Sequence, residues 1–135
     1  MKIEGGCYCG ALRYKAEGDP MFQGQCHCRE CQYFSGGQPN VIIAMPTTGF
    51  SYTKGKPKGF ARKDLQGAVT REFCPDCGTH ILTRAPTVPT GVIIKVGTFD
   101  DPKVFSPQMA IYTIDKQPFH AIPGGIPTFE RVPGR

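Results

Sequence analysis

The residues best suited to chemistry in this chain are its seven cysteines, which fall into three clusters: Cys7 and Cys9 in GCYCG, Cys26, Cys28 and Cys31 in CHCREC, and Cys74 and Cys77 in FCPDCG. An odd number of thiols cannot pair off internally, and clustered cysteines in a reducing compartment point to metal or catalysis before disulfides. Zinc takes four tetrahedral ligands, and two thiolates separated by one or two residues in a tight turn grip one edge of that tetrahedron. Pro75 and Gly78 mark such a turn around Cys74 and Cys77, and Gly10 follows Cys9 in the same way.

Spacing alone allows two divisions of the ligands. In one, Cys7, Cys9, Cys74 and Cys77 close a four-thiolate site and Cys26, Cys28 and Cys31 form a second site one ligand short. In the other, the CxxC pairs Cys28–Cys31 and Cys74–Cys77 form a ribbon and leave Cys7, Cys9 and Cys26 with His27. The paired CxxC spacing favours the ribbon; the matched glycines favour the first division.

A closed site and an open one do different work. Four protein thiolates saturate zinc and join distant segments, a folding role with apparent binding energies on the order of 10 kcal/mol. Three protein ligands leave a position for water or substrate, the pattern of catalytic zinc. Three thiolates blunt the ion's Lewis acidity but still favour a bound thiol as thiolate. Such a site suits activation of an incoming thiol better than hydrolysis of a peptide bond. His27 could instead close the central site as a fourth ligand, but it and His80 read more simply as supporting or partly exposed histidines, and His120 in QPFHAIP is less informative still.

The elements that must position these thiols read as strands. Runs of β-branched and aromatic residues bounded by Gly, Pro or Asp occur at 11–16 (ALRYKA), 41–45 (VIIAM), 50–53 (FSYT), 59–63 (GFARK), 68–73 (AVTREF), 79–84 (THILTR), 91–97 (GVIIKVG) and 109–114 (MAIYTI). Only 29–34, closed by Gly36 and Gly37, suits a helical turn, and the tail 123–135 with its prolines and glycines lies extended or frays. The 135 residues make one domain, 1–135, mainly β. No apolar run reaches the roughly 18 residues of a membrane span, and the start MKIEGGCYCG lacks a signal peptide, so the expected location is cytoplasmic. The formal charge of +5 invites a nucleic-acid reading, but seven thiolates around two zinc ions lower it to about +2. The patch KGKPKGFARK at 54–63 then reads as a solvated loop, with no nucleic acid expected as a partner.

GCYCG, then CHCREC, then REFCPDCGTHI, with a proline shortly before AIY, resembles the glutathione-dependent formaldehyde-activating family, also called the centromere protein V/GFA domain. The resemblance runs from Gly6 to about Pro133 and sides with the first division. It implies a β-tent of several small antiparallel sheets stapled by zinc, two ions per chain. Cys7, Cys9, Cys74 and Cys77 would hold the structural ion, and Cys26, Cys28 and Cys31 the catalytic one. The activity implied is that of a carbon–sulfur lyase resembling S-(hydroxymethyl)glutathione synthase, with glutathione as the thiol partner. The chain departs from the pattern at KQPFH, where Phe119 stands in place of a frequent tryptophan. Arg29, Lys54, Lys56 and Arg62 are candidates by charge for glutathione's carboxylates, although solvated surface suits each of them too. Two other classes fit the cysteines: a non-catalytic zinc module for nucleic acid or protein partners, and a redox sensor using Cys28 and Cys31.

Overall fold

The computed structural model describes residues 1–134, and Arg135 at the end of the tail lies outside the described residues. The structure is mainly β, as expected. Ten strands are β1 (Lys2–Gly6), β2 (Arg13–Glu17), β3 (Phe22–Cys26), β4 (Asn40–Pro46), β5 (Phe50–Lys54), β6 (Lys58–Phe60), β7 (Thr70–Phe73), β8 (His80–Arg84), β9 (Gly91–Lys95) and β10 (Met109–Ile111), with one short helix α1 (Arg29–Phe34). They form a three-stranded antiparallel sheet, β1-β2-β5, and a seven-stranded sheet ordered β10-β3-β4-β9-β8-β7-β6. The larger sheet is antiparallel except where β10 runs parallel to β3. Among the described residues no helix is long and apolar enough to cross a membrane.

Side-chain alternation explains how the sheets meet. In β2, Tyr14 and Ala16 are buried while Lys15 and Glu17 face solvent. They share one core with Ile3, Ile43, Met45, Ile81, Leu82, Val92 and Ile94, contributed by the facing strands of both sheets. The opposite face of β4 and β9 is apolar too. Ile42 and Ile93 turn away from the main core and pack with Cys26 and Cys31 in a second cluster. The run VIIAM is apolar throughout because β4 is covered on both faces.

Two strands, β1 and β3, have weak sequence signals. KIEGG and FQGQC hold glycines and polar residues, and tertiary pairing makes them strands. Gly24 shows why glycine sits there: a Cβ would stand 2.2 Å from the Met109 carbonyl oxygen, so only glycine lets β10 approach β3. Helix α1 spans the expected residues and ends at Gly36 and Gly37, both with positive φ. The run at 91–97 stops being strand at Lys95, where the Thr98 hydroxyl donates to the Lys95 carbonyl at 2.7 Å and a 3-10 turn follows. The tail lies extended, with Phe129 N–H donating to Ala110 O at 2.9 Å and Tyr112 N–H to Arg131 O at 2.8 Å.

Candidate metal centres

Four thiols converge at one end of the molecule. Cys7 and Cys9 occupy the turn after β1, where Gly10 N–H donates to Cys7 O at 3.1 Å. Cys74 and Cys77 occupy the β7–β8 turn, closed by Gly78 N–H on Cys74 O at 2.9 Å. Gly10 and Gly78 take φ of +80° and +76°, the left-handed conformation that each turn requires. Sulfurs about 2.3 Å from a common centre stand about 3.8 Å apart along a tetrahedral edge. Cys7 Sγ lies 3.7 Å from Cys9 Sγ, and Cys9 Sγ lies 3.8 Å from Cys74 Sγ. All four sulfurs lie within 4.8 Å of one another, so the cluster fits a metal ion. Backbone N–H groups of Leu12 and Asp76 point at Cys7 and Cys74 sulfur at 3.1 and 3.4 Å. Hydrogen bonds from Thr79, then from the Cys9 backbone, pull the Cys77 thiol down to about 6.

The second cluster is local. Cys26 ends β3, Cys28 caps the N-terminus of α1, and Cys31 lies in its first turn, with the three sulfurs within 4.8 Å of one another. Cys28 Sγ accepts the Cys31 N–H at 3.3 Å, the role an N-cap oxygen usually plays. Hydrogen bonds from the Cys26 and Cys31 thiols hold Cys28 down to about 3, helped by the Arg71 charge, while Cys28, Cys31 and burial push Cys26 up.

His27 does not join them. Its ring is fully buried, with Nδ1 2.9 Å from His120 Nδ1 and Nε2 3.1 Å from the Gln25 side-chain amide. His120 Nε2 donates to Gly37 O at 2.7 Å, so its Nδ1 is free to accept from His27 and from Gln117 N–H at 3.2 Å. Every nitrogen of both rings is engaged. Burial, then the His120 and Lys116 charges, lower the His27 pKa. No fourth ligating side chain joins the three sulfurs among the described residues.

Buried polar side chains brace the cluster instead. Gln32, 3% exposed, donates through Nε2 to His27 O at 2.8 Å and Asp115 O at 3.0 Å, pinning the thiol loop to segment 113–117. Asn40 Nδ2 lies 3.7 Å from Cys31 Sγ, and its Oδ1 accepts from Lys95 Nζ at 2.8 Å. An ammonium only donates, so Lys95 dictates which end of the Asn40 amide faces the sulfur. Lys95 also donates to Phe34 O at 3.2 Å at the end of α1, and its burial brings its pKa down to about 8. Sequence reasoning missed Arg71, Asn40, Lys95 and Gln32. The available signal was a polar residue inside an apolar strand run, as with Lys95 in GVIIKVG.

Of the charged candidates for glutathione, Arg29 stands beside Cys28 at the start of α1, and Arg62 lines a cavity next to that helix. Lys54 and Lys56 are exposed, and Arg62 binds Asp64 through Nε at 2.9 Å. Arg29, also exposed, donates to Gln32 Oε1 at 2.7 Å and lies over the Tyr33 ring at 4.8 Å. Phe119 is 63% exposed and meets the His120 ring edge-on at 5.0 Å.

Fold and thiols together define a β protein with two cysteine clusters, each able to hold a metal ion. Residues 2–115 match the model of the family described as "Glutathione-dependent formaldehyde-activating enzyme", and the chain belongs to that family. No curated protein matches it. Its fold is similar to that in the crystal structure of a Rhodobacter sphaeroides structural-genomics protein. The TM-score is 0.61 at 16% identity, over 95% of this chain and 99% of that one.

Proposed function

We propose that this protein catalyses the reversible addition of a small thiol, glutathione, to an aldehyde carbon. With formaldehyde the product is S-(hydroxymethyl)glutathione, and the reverse direction is a carbon–sulfur lyase reaction. Cys26, Cys28 and Cys31 would hold a catalytic zinc ion; Cys7, Cys9, Cys74 and Cys77 would hold a structural one. The observation that carries this reading is the difference in ligand count: four sulfurs in one cluster, three in the other with His27 turned away. Family membership supports the same chemistry.

Zinc held by three thiolates supplies Lewis acidity that favours the thiolate form of an incoming thiol. The chain's own groups do the rest. Cys28, at the cap of α1, accepts the Cys31 N–H, and the Asn40 amide faces Cys31 sulfur, so these N–H groups orient the sulfurs. In the forward reaction the thiol sulfur forms a bond to carbon, the carbonyl π pair moves to oxygen, and the thiol proton ends on that oxygen. Holding both reactants at one site converts a bimolecular encounter into an oriented one. Reduced thiols suit the cytoplasm.

The test combines metal analysis with turnover. Protein purified without chelator should contain two zinc ions per chain, and Cys28→Ser one, with the fold retained and acceleration of glutathione–formaldehyde exchange lost. Wild-type exchange no faster than the spontaneous rate, measured by NMR with both ions present, refutes the reaction.

A further inference from the structure

Between α1 and the β6–β7 hairpin lies a cavity of about 350 Å³ that the mechanism above does not use. Its walls are Tyr33, Phe34, Phe60 and Val69, and Arg71 also lines it. Tyr33 and Phe60 remain 76% and 54% exposed, although aromatic side chains of that size gain much from burial. The Arg71 side chain is only 7% exposed and lies over the Phe34 ring at 4.1 Å. A guanidinium carries five N–H donors, yet the protein acceptor recorded for Arg71 is one oxygen, Glu30 Oε1 at 3.2 Å. Glu30 is itself 55% exposed and holds Arg71 from the solvent side. A buried cation with spare donors beside an apolar cavity suits a ligand that brings an oxygen acceptor on an apolar body.

The cavity shares helix α1 with two of the three thiols, Cys28 at its cap and Cys31 within it. Glu30 stands inside the Cys28–Cys31 motif, Tyr33 and Phe34 continue the helix that carries Cys31, and Glu30 also holds Arg71 at 3.2 Å. Given thiol–aldehyde chemistry at those sulfurs, we propose that the cavity binds the carbon half of the adduct, an aromatic or branched aliphatic aldehyde whose carbonyl oxygen Arg71 receives. The bonding change is unaltered: carbon–sulfur bond formed, π pair to oxygen, thiol proton to the same oxygen. Arg71 hydrogen-bonds that oxygen as charge develops and gives up no proton.

Size and charge argue against two other occupants. Formaldehyde has only one heavy atom more than water, whose share of the liquid is about 30 Å³, and would leave most of the space unfilled. Glutathione carries two carboxylates and an ammonium, whereas the walls are mostly apolar. Both arginines at the cavity, Arg62 and Arg71, already face a carboxylate, of Asp64 and Glu30 respectively.

Calorimetric titration of the zinc-loaded full chain with benzamide and acetamide tests the cavity with unreactive carbonyl compounds. Benzamide should bind about tenfold tighter than acetamide, and Phe60→Ser, which alters an exposed side chain, should reduce that preference to about threefold or less. Arg71→Lys should weaken both amides by about tenfold, with the fold checked by circular dichroism. Equal affinities in the wild type, or a preference that survives Phe60→Ser, overturn the proposal. NMR exchange with phenylacetaldehyde and formaldehyde separates the two levels. Acceleration with formaldehyde but no aromatic preference overturns the cavity's assignment alone. Selective benzamide binding with no acceleration for either aldehyde overturns the thiol–aldehyde reading, and the assignment to a carbon half falls with it.

Discussion

The two cysteine clusters differ less in chemistry than in who holds whom. The four-thiol cluster joins Cys7 and Cys9 to Cys74 and Cys77, across a gap of 65 residues from Cys9 to Cys74, and so ties the end of β1 in the small sheet to the β7–β8 turn of the large one. The three-thiol cluster spans six consecutive positions and ties nothing distant. Its geometry depends on a surrounding layer: Gln32 on two carbonyls, His27 against His120, and Asn40 set by Lys95. A metal ion in the first cluster would hold the fold. In the second the fold would hold the ion, and that division of labour frees a coordination position for chemistry.

The largest expected effect breaks the first half of that comparison. Cys74 is fully buried in the main core, and Cys74→Ser should abolish the cooperative thermal transition, since the metal-linked stabilisation it removes is on the order of 10 kcal/mol. Cys28→Ser should keep that transition; equal loss in both variants would mean that the second cluster also holds the fold. Gly24→Ala comes next. With a Cβ 2.2 Å from Met109 O, β10 must move away from β3, at a cost of about 2 kcal/mol in denaturant unfolding. The loop that follows β10 carries His120 and Asp115, so the bracing of the thiols should loosen as well.

Asn40→Ala sharpens the second half. It removes the N–H group facing Cys31 and takes from Lys95 its shortest acceptor contact, so metal affinity at the three thiols should fall by about tenfold in chelator competition. Affinity at the four thiols should not change; equal loss at both would show a general destabilisation.

The smallest effect concerns His80, packed between the Phe34 and Phe73 rings with Nδ1 buried and unpartnered. Burial, then the Lys95 and Arg71 charges, lower its pKa from 6.5 to about 4. The unfolded chain therefore binds the proton first, and stability contributed by neutral His80 is present above pH about 6.5 and falls between 6.5 and 4. His80→Phe should add about 1 kcal/mol at pH 7 by removing the orphaned nitrogen. It should also remove the wild type's loss of stability across that window, so the gap between the two widens as pH falls from 6.5 to 4, as followed by urea unfolding at fixed zinc.

Much of this was legible in the chain itself. Eight strand runs and the α1 turn were visible because β-branched residues cluster between turn formers, and Gly36 and Gly37 could only end a helix. The run at 59–63 overreached: β6 stops at Phe60, and Arg62 turns to Asp64 instead of continuing a ladder. β1 and β3 were illegible because their partners, β2, β4 and β10, supply what their own residues lack. That the cysteines gather into metal-binding clusters was legible from spacing, but which pairs share a cluster was not. Nor were the side chains that set the electrostatics there, since Arg71, Asn40 and Lys95 come from β7, β4 and β9 and meet the thiols only after those strands align.

What the sequence by itself determined is local: which cysteines share a turn, where glycine permits that turn, and that three thiols in CHCREC stand within reach of one ion. Spacing suffices there because a few φ/ψ angles place such neighbours. Tertiary structure alone decided which pairs meet and which way His27 faces. Cys7 and Cys9 join Cys74 and Cys77 because strand register in two sheets brings those turns together. His27 turns from the sulfurs because a buried ring takes the hydrogen bonds that His120 and Gln25 offer it.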